Sequence, residues 1–398
     1  MKTLEPSYYE NFECIGDRCK DNCCTGWRVI IDKSSYQKYE QMQDEFGDRL
    51  NSNLRKVENS ENDEEFAEFI LDNNMKCPLL NENKLCDLYI NKGSDHLCHI
   101  CTSYPRIVTL YGEVAERNLS LSCPSVAQLL VDKNEKIDFI MNDEIKYNKN
   151  ETILMVNKQY DELYNLVWEG RNLSIDLAQF TEIPIWKRLI IIKLISDRIQ
   201  IRINNGEIGN EDIFIDELKN ELISESLLKA LDDIEKPNKI LKINLVLMIF
   251  EFGKNHGMGN KKLTAIVENI KMLLDKSEDI EKTLNYKEEQ FDKYFKMREY
   301  ILENYIVYNL YNLYMKSLIN KNLDIEIFEL IINYSIVKLS LLATWDKNNE
   351  KLTDDEIVDV LYSLSREMEH SDTFIQSLYD DMSKKGVNTM GHLITMIY

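Results

Sequence analysis

The segment Phe12-Glu-Cys-Ile-Gly-Asp-Arg-Cys-Lys-Asp-Asn-Cys-Cys-Thr-Gly-Trp27 begins a region that contains every cysteine of the chain. The nine are Cys14, Cys19, Cys23, Cys24, Cys77, Cys86, Cys98, Cys101 and Cys123. A hydrophobic core does not need sulfur concentrated in this way, although a single cysteine often serves as a small buried hydrophobe. Thiolates are soft ligands for zinc, iron and iron–sulfur clusters, so the region is interpreted as a metal-binding site.

Length and composition describe a chain that can bury a core without covalent cross-links. It has 398 residues, 44% hydrophobic, and is long enough for more than one domain. The N-terminus has no apolar run typical of a signal peptide. The most apolar stretches, 189–195 and 240–252, fall short of the roughly 20 residues of a membrane span. We therefore expect a cytoplasmic protein with no membrane partner, where dense cysteine indicates metal binding or catalysis rather than disulfides.

The charge balance is strongly acidic. There are 69 acidic and 48 basic residues, and the formal net charge is −21. Binding to nucleic acid or to an anionic membrane requires clustered lysine and arginine, so neither is expected as a partner. An acidic surface favours a lysine-bearing protein substrate through long-range attraction.

The amino-acid composition of the chain changes near residue 125, and the compositions before and after that point together predict a mainly α protein. We expect a small, irregular α+β cysteine-rich metal-binding domain at 1–135, followed by a large helical bundle at 136–398. The bundle has a candidate division into two sub-bundles near 257–260. Its predicted helices are 150–171, 184–205, 211–233, 238–255, 260–275, 279–319, 325–344, 354–369, 373–384 and 388–397.

Local signals also predict elements of the cysteine-rich domain. Residues 107–121 are interpreted as two β runs that turn at Gly112. Pro124 suits the first turn of a helix over 125–132. Ser34 or Ser35 is the expected cap of a helix from Tyr36 towards Phe46. In the bundle, the tyrosine series Tyr305, Tyr308, Tyr311 and Tyr314 indicates packing, with a groove that grips cations as the alternative.

The cysteine spacing is C-x4-C-x3-C-C, a gap of 52, then C-x8-C-x11-C-x2-C and C-x21-C-Pro. Close spacings let two thiolates reach one ion, and the long gaps imply that metal binding joins distant segments. Pairs such as Cys19-x3-Cys23 and Cys98-x2-Cys101 suit zinc knuckles, whereas Cys123-Pro124 has a form found in ferredoxins. The cysteine spacing alone favours zinc and an iron–sulfur cluster about equally as the bound metal. Nine thiols exceed the four that one site needs.

The residues between the cysteines carry a resemblance. The opening 12–32 resembles that of the flagellin lysine-N-methylases, and the match continues to residue 127. The later motifs are Cys77-Pro-Leu-Leu80, Cys86-Asp-Leu-Tyr89, Leu97-Cys98-x2-Cys101-x2-Tyr-Pro-Arg106 and Ser122-Cys123-Pro124-x2-Ala127. Part of this pattern is shared with a broader zinc- or iron-chelating cysteine-cluster family. Trp27, the Cys98/Cys101 pair and the Ser-Cys-Pro ending favour the methylases.

The resemblance implies an enzyme that transfers a methyl group from S-adenosylmethionine to lysine side chains of flagellin, with a cysteine-bound [4Fe-4S] cluster. Zinc is the alternative metal. All nine cysteines are candidate metal ligands. The residues Asp17, Arg18, Trp27 and Asp32 lie among them and are candidates for cofactor binding.

The sequence leaves the catalytic residues and the cofactor pocket unidentified. Ordinary methyltransferases bind their cofactor at a glycine-rich turn of a Rossmann-like sheet, and no G-x-G-x-x-G occurs here. Two other classes of function stay open at this point. One is a non-enzymatic metal-binding or electron-transfer protein, and the other is a zinc-stabilised interaction module.

Overall fold

A computed structural model describes residues 2–58, 62–143, 152–156, 161–274, 279–369 and 373–398. The chain forms two compact units. One contains Met1–Leu129 and Asp138–Asn157, and the other contains Leu130–Ile137 and Lys158–Tyr398. The first is a small mixed unit that carries the cysteines, and the second is a large helical bundle. The predicted fold class is therefore confirmed.

The strands described belong to the first unit. They are β1 (Lys2–Pro6), β2 (Ile30–Ile31), β3 (Leu54–Lys56), β4 (Ala67–Phe69), β5 (Arg106–Tyr111), β6 (Val114–Leu119), β7 (Phe139–Asn142) and β8 (Thr152–Val156). Five of them form a sheet in the order β7-β1-β6-β5-β8, and three form a second sheet in the order β2-β4-β3.

The larger sheet is mixed. Strand β1 runs parallel to β6, with Leu4 opposite Glu116, and antiparallel to β7. Strands β5 and β6 form the predicted hairpin, in which Gly112 adopts a φ of 60° that suits glycine. Strand β8 pairs in parallel with the outer side of β5, with Val108 opposite Ile153. The smaller sheet is antiparallel throughout.

Helices α1 to α5 follow in chain order and are short. They are α1 (Lys33–Glu40), α2 (Glu45–Ser52), α3 (Asp87–Lys92), α4 (His99–Ser103) and α5 (Pro124–Asp132). Helix α5 starts at proline as predicted, and the boundary between the two units falls inside it. The expected helix from Tyr36 to Phe46 was wrong in extent, because α1 is capped by Asp32 and ends at Glu40.

The first unit has its own core beside the smaller sheet. Ile31, Tyr39, Leu50 and Ala67 are fully buried there. The sulfur-bearing residues Cys77 and Cys98 belong to the same core.

The helices of the second unit are numbered from α6. They are α6 (Asp161–Ala178), α7 (Ile185–Asn205), α8 (Glu211–Leu222), α9 (Glu225–Asp232), α10 (Lys239–Asn255), α11 (Lys261–Met272), α12 (Ile280–Phe295), α13 (Glu299–Leu313), α14 (Ser317–Asn320), α15 (Leu323–Lys347), α16 (Asp354–Met368), α17 (Phe374–Lys384) and α18 (Met390–Ile397).

Most of these helices match the predicted ones, with three differences. The predicted helix 150–171 was wrong at its start, because Thr152–Val156 is strand β8 and α6 begins at Asp161. A short apolar run has no periodicity that separates strand from helix. The residues 150–151 and 157–160 of that prediction lie outside the described residues. The runs 211–233 and 279–319 each divide into shorter helices, the former where Ser224 caps α9.

Helix α15 is the centre of the bundle. By length and mean hydropathy (1.5 over 18 residues) it would qualify as a membrane span, but 94% of that window is buried inside the protein. The tyrosines Tyr305, Tyr308 and Tyr311 of α13, and Tyr314 after it, are buried too, as expected for packing residues. Both helices are buried on most sides because other helices surround them, and they also bury polar residues such as Asn304 of α13 and Glu326 of α15.

Candidate metal-binding site

The cysteines lie at the ends of short elements rather than inside long ones. Cys14 and Cys19 flank a 3-10 turn at Gly16–Arg18, and Cys23 and Cys24 follow in a loop. Cys77 and Cys86 lie at the two ends of a loop that a bridge between Leu80 and Cys86 closes. Cys98 is the N-cap of α4, and Cys101 lies within that helix. Cys123 directly precedes α5. Cys77, Cys98 and Cys123 are buried, and the other six are exposed or half-buried.

Backbone pairing brings the two distant groups of cysteines together. The N–H of Cys77 donates to the carbonyl oxygen of Cys24 at 2.8 Å. Beside it, Thr25 and Lys76 form an antiparallel bridge. The long gap in the cysteine spacing is thus closed by main-chain contacts, which hold Cys24 and Cys77 close together.

The thiols are near enough to oppose one another's ionisation. A hydrogen bond to Cys23, burial, and the charges of Cys23, Cys77 and Cys86 raise the pKa of Cys24 well above its usual range. Burial, together with the charges of Cys86, Cys98 and Cys23, raises the pKa of Cys77 to about 12, although a backbone hydrogen bond opposes the shift.

Burial and neighbouring thiols also shift the pKa values at the C-terminal end of the cysteine region. Burial raises the pKa of Cys123 to about 12, partly offset by backbone N–H groups, and the charges of Cys19 and Cys23 add to it. Within α4 the Cys101 thiol donates a hydrogen bond to Cys98, which lowers the pKa of Cys98 and raises that of Cys101.

These interactions link eight cysteines into one electrostatic neighbourhood, from which the exposed Cys14 stands apart. All nine are thiols rather than half-cystines. Among the described residues, no group of three or more Cys, His, Asp or Glu side chains is already arranged to hold a metal ion.

Asp32 is buried and holds two elements of the site in place. Its carboxylate accepts from Ser35 N at 2.8 Å and from Ser34 Oγ at 2.7 Å at the start of α1. Those two hydrogen bonds go to Oδ1, and Oδ2 accepts a third from the N–H of His99 at 2.9 Å, at the start of α4. Burial acts to raise the pKa of Asp32, but these hydrogen bonds lower it to about 2. The structure thus gives Asp32 a positioning role.

The other three candidates for cofactor binding differ in exposure. Trp27 is half-buried, donates from Nε1 to the carbonyl oxygen of Cys23 at 2.9 Å, and packs edge-on against Tyr104 at 5.2 Å. Asp17 and Arg18 are exposed on the 3-10 turn between Cys14 and Cys19. A role in cofactor binding stays a prediction for all four residues.

Several residues that position the cysteines were not singled out by sequence. Asn22 Oδ1 accepts from Cys24 N at 3.1 Å, a contact that Asn in a turn commonly makes. Near Cys123, the hydroxyl of Tyr104 is 3.0 Å from Ser122 Oγ, which is 2.7 Å from Ser120 Oγ. An Asn directly before Cys-Cys was a readable signal, but the Tyr104 contact depends on tertiary structure.

Comparison with known proteins decides the family. A sequence model of the FliB lysine N-methylase C-terminal domain matches residues 171–396, more than half of the chain. The chain belongs to the FliB lysine N-methylase family. This match lies in the helical unit, whereas the resemblance seen in sequence lay in the cysteine region, so the two observations are independent.

The relatives agree with this assignment. The lysine-N-methylases of Salmonella choleraesuis strain SC-B67 and Salmonella typhimurium strain LT2 are 23% and 22% identical, over 99% of this chain and 99% of theirs. The flagellar biosynthetic protein FliU of Salmonella muenchen is 34% identical over 33% of this chain and 78% of its own length. No solved structure matches the chain. Membership in the family supports a protein-lysine methyltransferase activity.

Proposed function

We propose that this chain transfers a methyl group from S-adenosylmethionine to lysine side chains of flagellin, and that its cysteines bind a [4Fe-4S] cluster. Family membership carries the proposal, because it supports lysine methylation over the length of the chain. The flagellar name of the relative FliU supports a flagellar substrate. We also propose that the protein works in the cytoplasm.

The donor set fits a metal cluster. Eight neighbouring thiols are a soft-ligand environment, and the burial and mutual repulsion that raise the pKa values of Cys24, Cys77 and Cys123 disfavour thiolates unless a cation compensates them. Four of Cys19, Cys23, Cys24, Cys77, Cys86, Cys98, Cys101 and Cys123 would hold the cluster. When bound, the cluster supplies positively charged iron that stabilises these thiolates and couples their segments.

The chemistry of methylation sets what the protein must do. A lysine ammonium with a pKa of ~10.4 has no lone pair to donate, so the site must remove its proton by desolvation or with a base. The amine nitrogen then attacks the sulfonium methyl group in line. The C–S bond breaks, its electron pair remains on sulfur, and the product is a methylated lysine with S-adenosylhomocysteine. The net charge of −21 attracts a lysine-bearing partner over a distance.

Two measurements test the proposal. Protein purified without oxygen is assayed for iron, sulfide and zinc, and is then incubated with S-adenosylmethionine and flagellin. We expect iron and sulfide in equal amounts, and added methyl groups on flagellin lysines by mass spectrometry. Zinc without iron would overturn the cluster. Cluster-replete protein that leaves flagellin unmodified would overturn the substrate or the activity, and heat-denatured protein is the control.

A further inference from the structure

Tyr104 lies where three segments that carry cysteines meet. It is the C-terminal cap of α4, and its backbone N–H donates to the carbonyl oxygen of Ile100 at 3.1 Å. Its ring contacts the segment that follows Cys23, and its hydroxyl contacts the segment that precedes Cys123. All of these residues belong to the first unit, so the contacts lie within one compact body.

The ring of Tyr104 holds the side chain of Trp27 in place. The two ring centroids are 5.2 Å apart, and the ring planes meet at 60° in an edge-to-face arrangement. The indole Nε1 of Trp27 in turn donates to the carbonyl oxygen of Cys23 at 2.9 Å. Because edge-to-face packing is directional, the Tyr104 ring keeps the indole in the orientation that reaches this carbonyl group.

The hydroxyl of Tyr104 belongs to a short chain of hydroxyl groups beside Cys123. Its oxygen lies 3.0 Å from Ser122 Oγ, and that atom lies 2.7 Å from Ser120 Oγ. Ser120 and Ser122 are 1% and 0% exposed, so solvent has little access to these contacts. The backbone N–H of Cys123 donates to the carbonyl oxygen of Ser120 at 3.2 Å. The chain of hydroxyl groups therefore fixes the turn on which Cys123 lies.

Helix α4 is the third segment. Cys98 is its N-cap, and Cys101 lies within it, three residues before Tyr104. Electrostatic interactions also connect Cys23 with Cys101 and with Cys123. Contacts of this kind orient the side chains that bind a metal and tune the metal itself.

We propose that Tyr104 is a positioning residue of the metal centre, which places Cys23, Cys101 and Cys123 around one bound metal ion or cluster. This inference rests on the proposed function, because it requires that the cysteines hold a metal. It goes further in naming three thiols, from three separate segments, as ligands of the same centre. It also gives the contact between Tyr104 and Ser122 a role in the geometry of that centre.

The first test measures how fast the full chain, purified without oxygen, releases its metal to a chelator. Tyr104→Phe keeps the ring on Trp27 and removes the hydroxyl contact, and Ser122→Ala removes the partner of that contact. We expect each change to accelerate metal release about fivefold, the size of one lost hydrogen bond. The double variant should release metal no faster than Ser122→Ala, because both changes remove the same contact.

The second test is a spectrum that separates positioning from a general loss of stability. The electron paramagnetic resonance spectrum of a reduced iron–sulfur cluster depends on ligand geometry, as do the visible bands of a cobalt-substituted zinc centre. We expect Tyr104→Phe to change the shape of the spectrum, whereas a loss of stability would lower only its intensity. Tyr8→Phe is the matched control, since the Tyr8 hydroxyl also donates a buried hydrogen bond in the same unit, at 2.8 Å to Asn118 Oδ1.

The outcomes separate the positioning role from the activity. A spectrum and a release rate of Tyr104→Phe that equal those of the wild type would overturn the role, and so would equal changes in Tyr8→Phe. Additive effects of Tyr104→Phe and Ser122→Ala would overturn their shared contact as the cause. Unmodified flagellin, or zinc in place of iron, would contradict the proposed function and leave this inference standing. Wild-type protein that binds no metal would overturn the metal centre and this inference together.

Discussion

The carboxylate of Asp32 accepts a hydrogen bond of 2.9 Å from the backbone N–H of His99, although 67 residues separate them. The same side chain caps α1 through Ser35. One carboxylate therefore joins the segment after the first four cysteines to the helix that carries Cys98 and Cys101. The geometry of the cysteine region depends on this contact.

Replacing Asp32 by alanine should destabilise the cysteine-rich unit by about 2–3 kcal/mol, because two helix starts lose their acceptor. The measurement is the rate at which an alkylating reagent labels the buried Cys98, followed by mass spectrometry under native conditions. Labelling should accelerate by at least tenfold. Asp17→Ala, on an exposed turn, is the control, and equal rates in the two variants would contradict the assignment.

The stability that Asp32 contributes should depend on pH in a defined direction. Its pKa is about 2 in the folded protein and 3.8 ordinarily, so the folded state favours the charged form. The contribution is fully present above pH ~4 and is lost as the pH falls through about 2. The free energies of unfolding of wild type and Asp32→Ala, measured by urea unfolding, should therefore converge at acidic pH. A constant difference down to pH 2 would show that the carboxylate charge is not the cause.

Metal content should discriminate between the cysteines. Each of the eight linked cysteines, Cys24 and Cys98 among them, is replaced in turn by serine, and we expect four of these variants to lose most of the bound metal. Cys14→Ser should retain it, since Cys14 is exposed and apart from that set. Elemental analysis of protein purified without oxygen measures this. Loss of metal in Cys14→Ser, or retention of metal in all eight other variants, would contradict the assignment of the ligands to the linked set.

Glu326 gives the bundle a second pH dependence. It is buried in α15, where burial and the charge of Glu329 raise its pKa to about 7. Its folded pKa is above the ordinary 4.5, so the stability of the bundle should fall as the pH rises from ~4.5 to ~7. Glu326→Gln keeps the acceptor for Asn320 Nδ2, which lies 2.8 Å from Oε1.

We expect Glu326→Gln to stabilise the protein by about 2–3 kcal/mol at pH 8 and to have little effect at pH 4.5. Urea unfolding followed by far-ultraviolet circular dichroism at both values measures this. The control is Glu251→Gln, an exposed site on α10 where the same substitution should be neutral. An equal effect of Glu326→Gln at the two pH values would argue against a raised pKa.

Gly170 allows two helices to approach closely. A Cβ atom there would lie 2.3 Å from Ile199 Cδ1 and 2.9 Å from the Tyr314 hydroxyl oxygen, and both neighbours are fully buried. Overpacking of this kind costs about 1–3 kcal/mol, more than the ~1 kcal/mol that alanine gains in a helix. Gly170→Ala should thus lower the melting temperature. Gly391→Ala, with only an ordinary contact at 3.9 Å, should leave it unchanged or raised.

Elements with strong local signals were predictable from sequence. The hairpin at Gly112 and the helix that starts at Pro124 each depend on one residue whose backbone preference is decisive. The start of α6 was not predictable in this way, since Thr152–Val156 becomes a strand only because β5 has a free parallel edge beside it. The cap at Asp32 was missed for a different reason, because the serines that follow it were equally good candidates for the N-cap.

The sites were predictable only where the residues share a motif. The cysteine site could be predicted because all of its cysteines lie in one region of the sequence. Backbone pairing between Cys24 and Cys77 accounts for the long gap in the cysteine spacing. A cavity in the helical unit has no such signature, because its lining residues, among them Trp186, Glu288 and Tyr398, lie on separate elements. Each of them alone is interpreted as an ordinary packing or surface residue, and only tertiary structure brings them to one place.

The interleaving of the two units constrains how the chain can fold as it is synthesised. Residues 130–137 belong to the helical bundle, where the side chains of Tyr300 and Asn304 donate to the carbonyl oxygens of Val131 and Lys133 at 2.8 and 2.6 Å. Those partners emerge from the ribosome long after the segment itself, and after β8 has completed the sheet of the first unit. The connecting segment therefore precedes its hydrogen-bond partners in synthesis, and its carbonyl groups bind water until Tyr300 and Asn304 have been added to the chain.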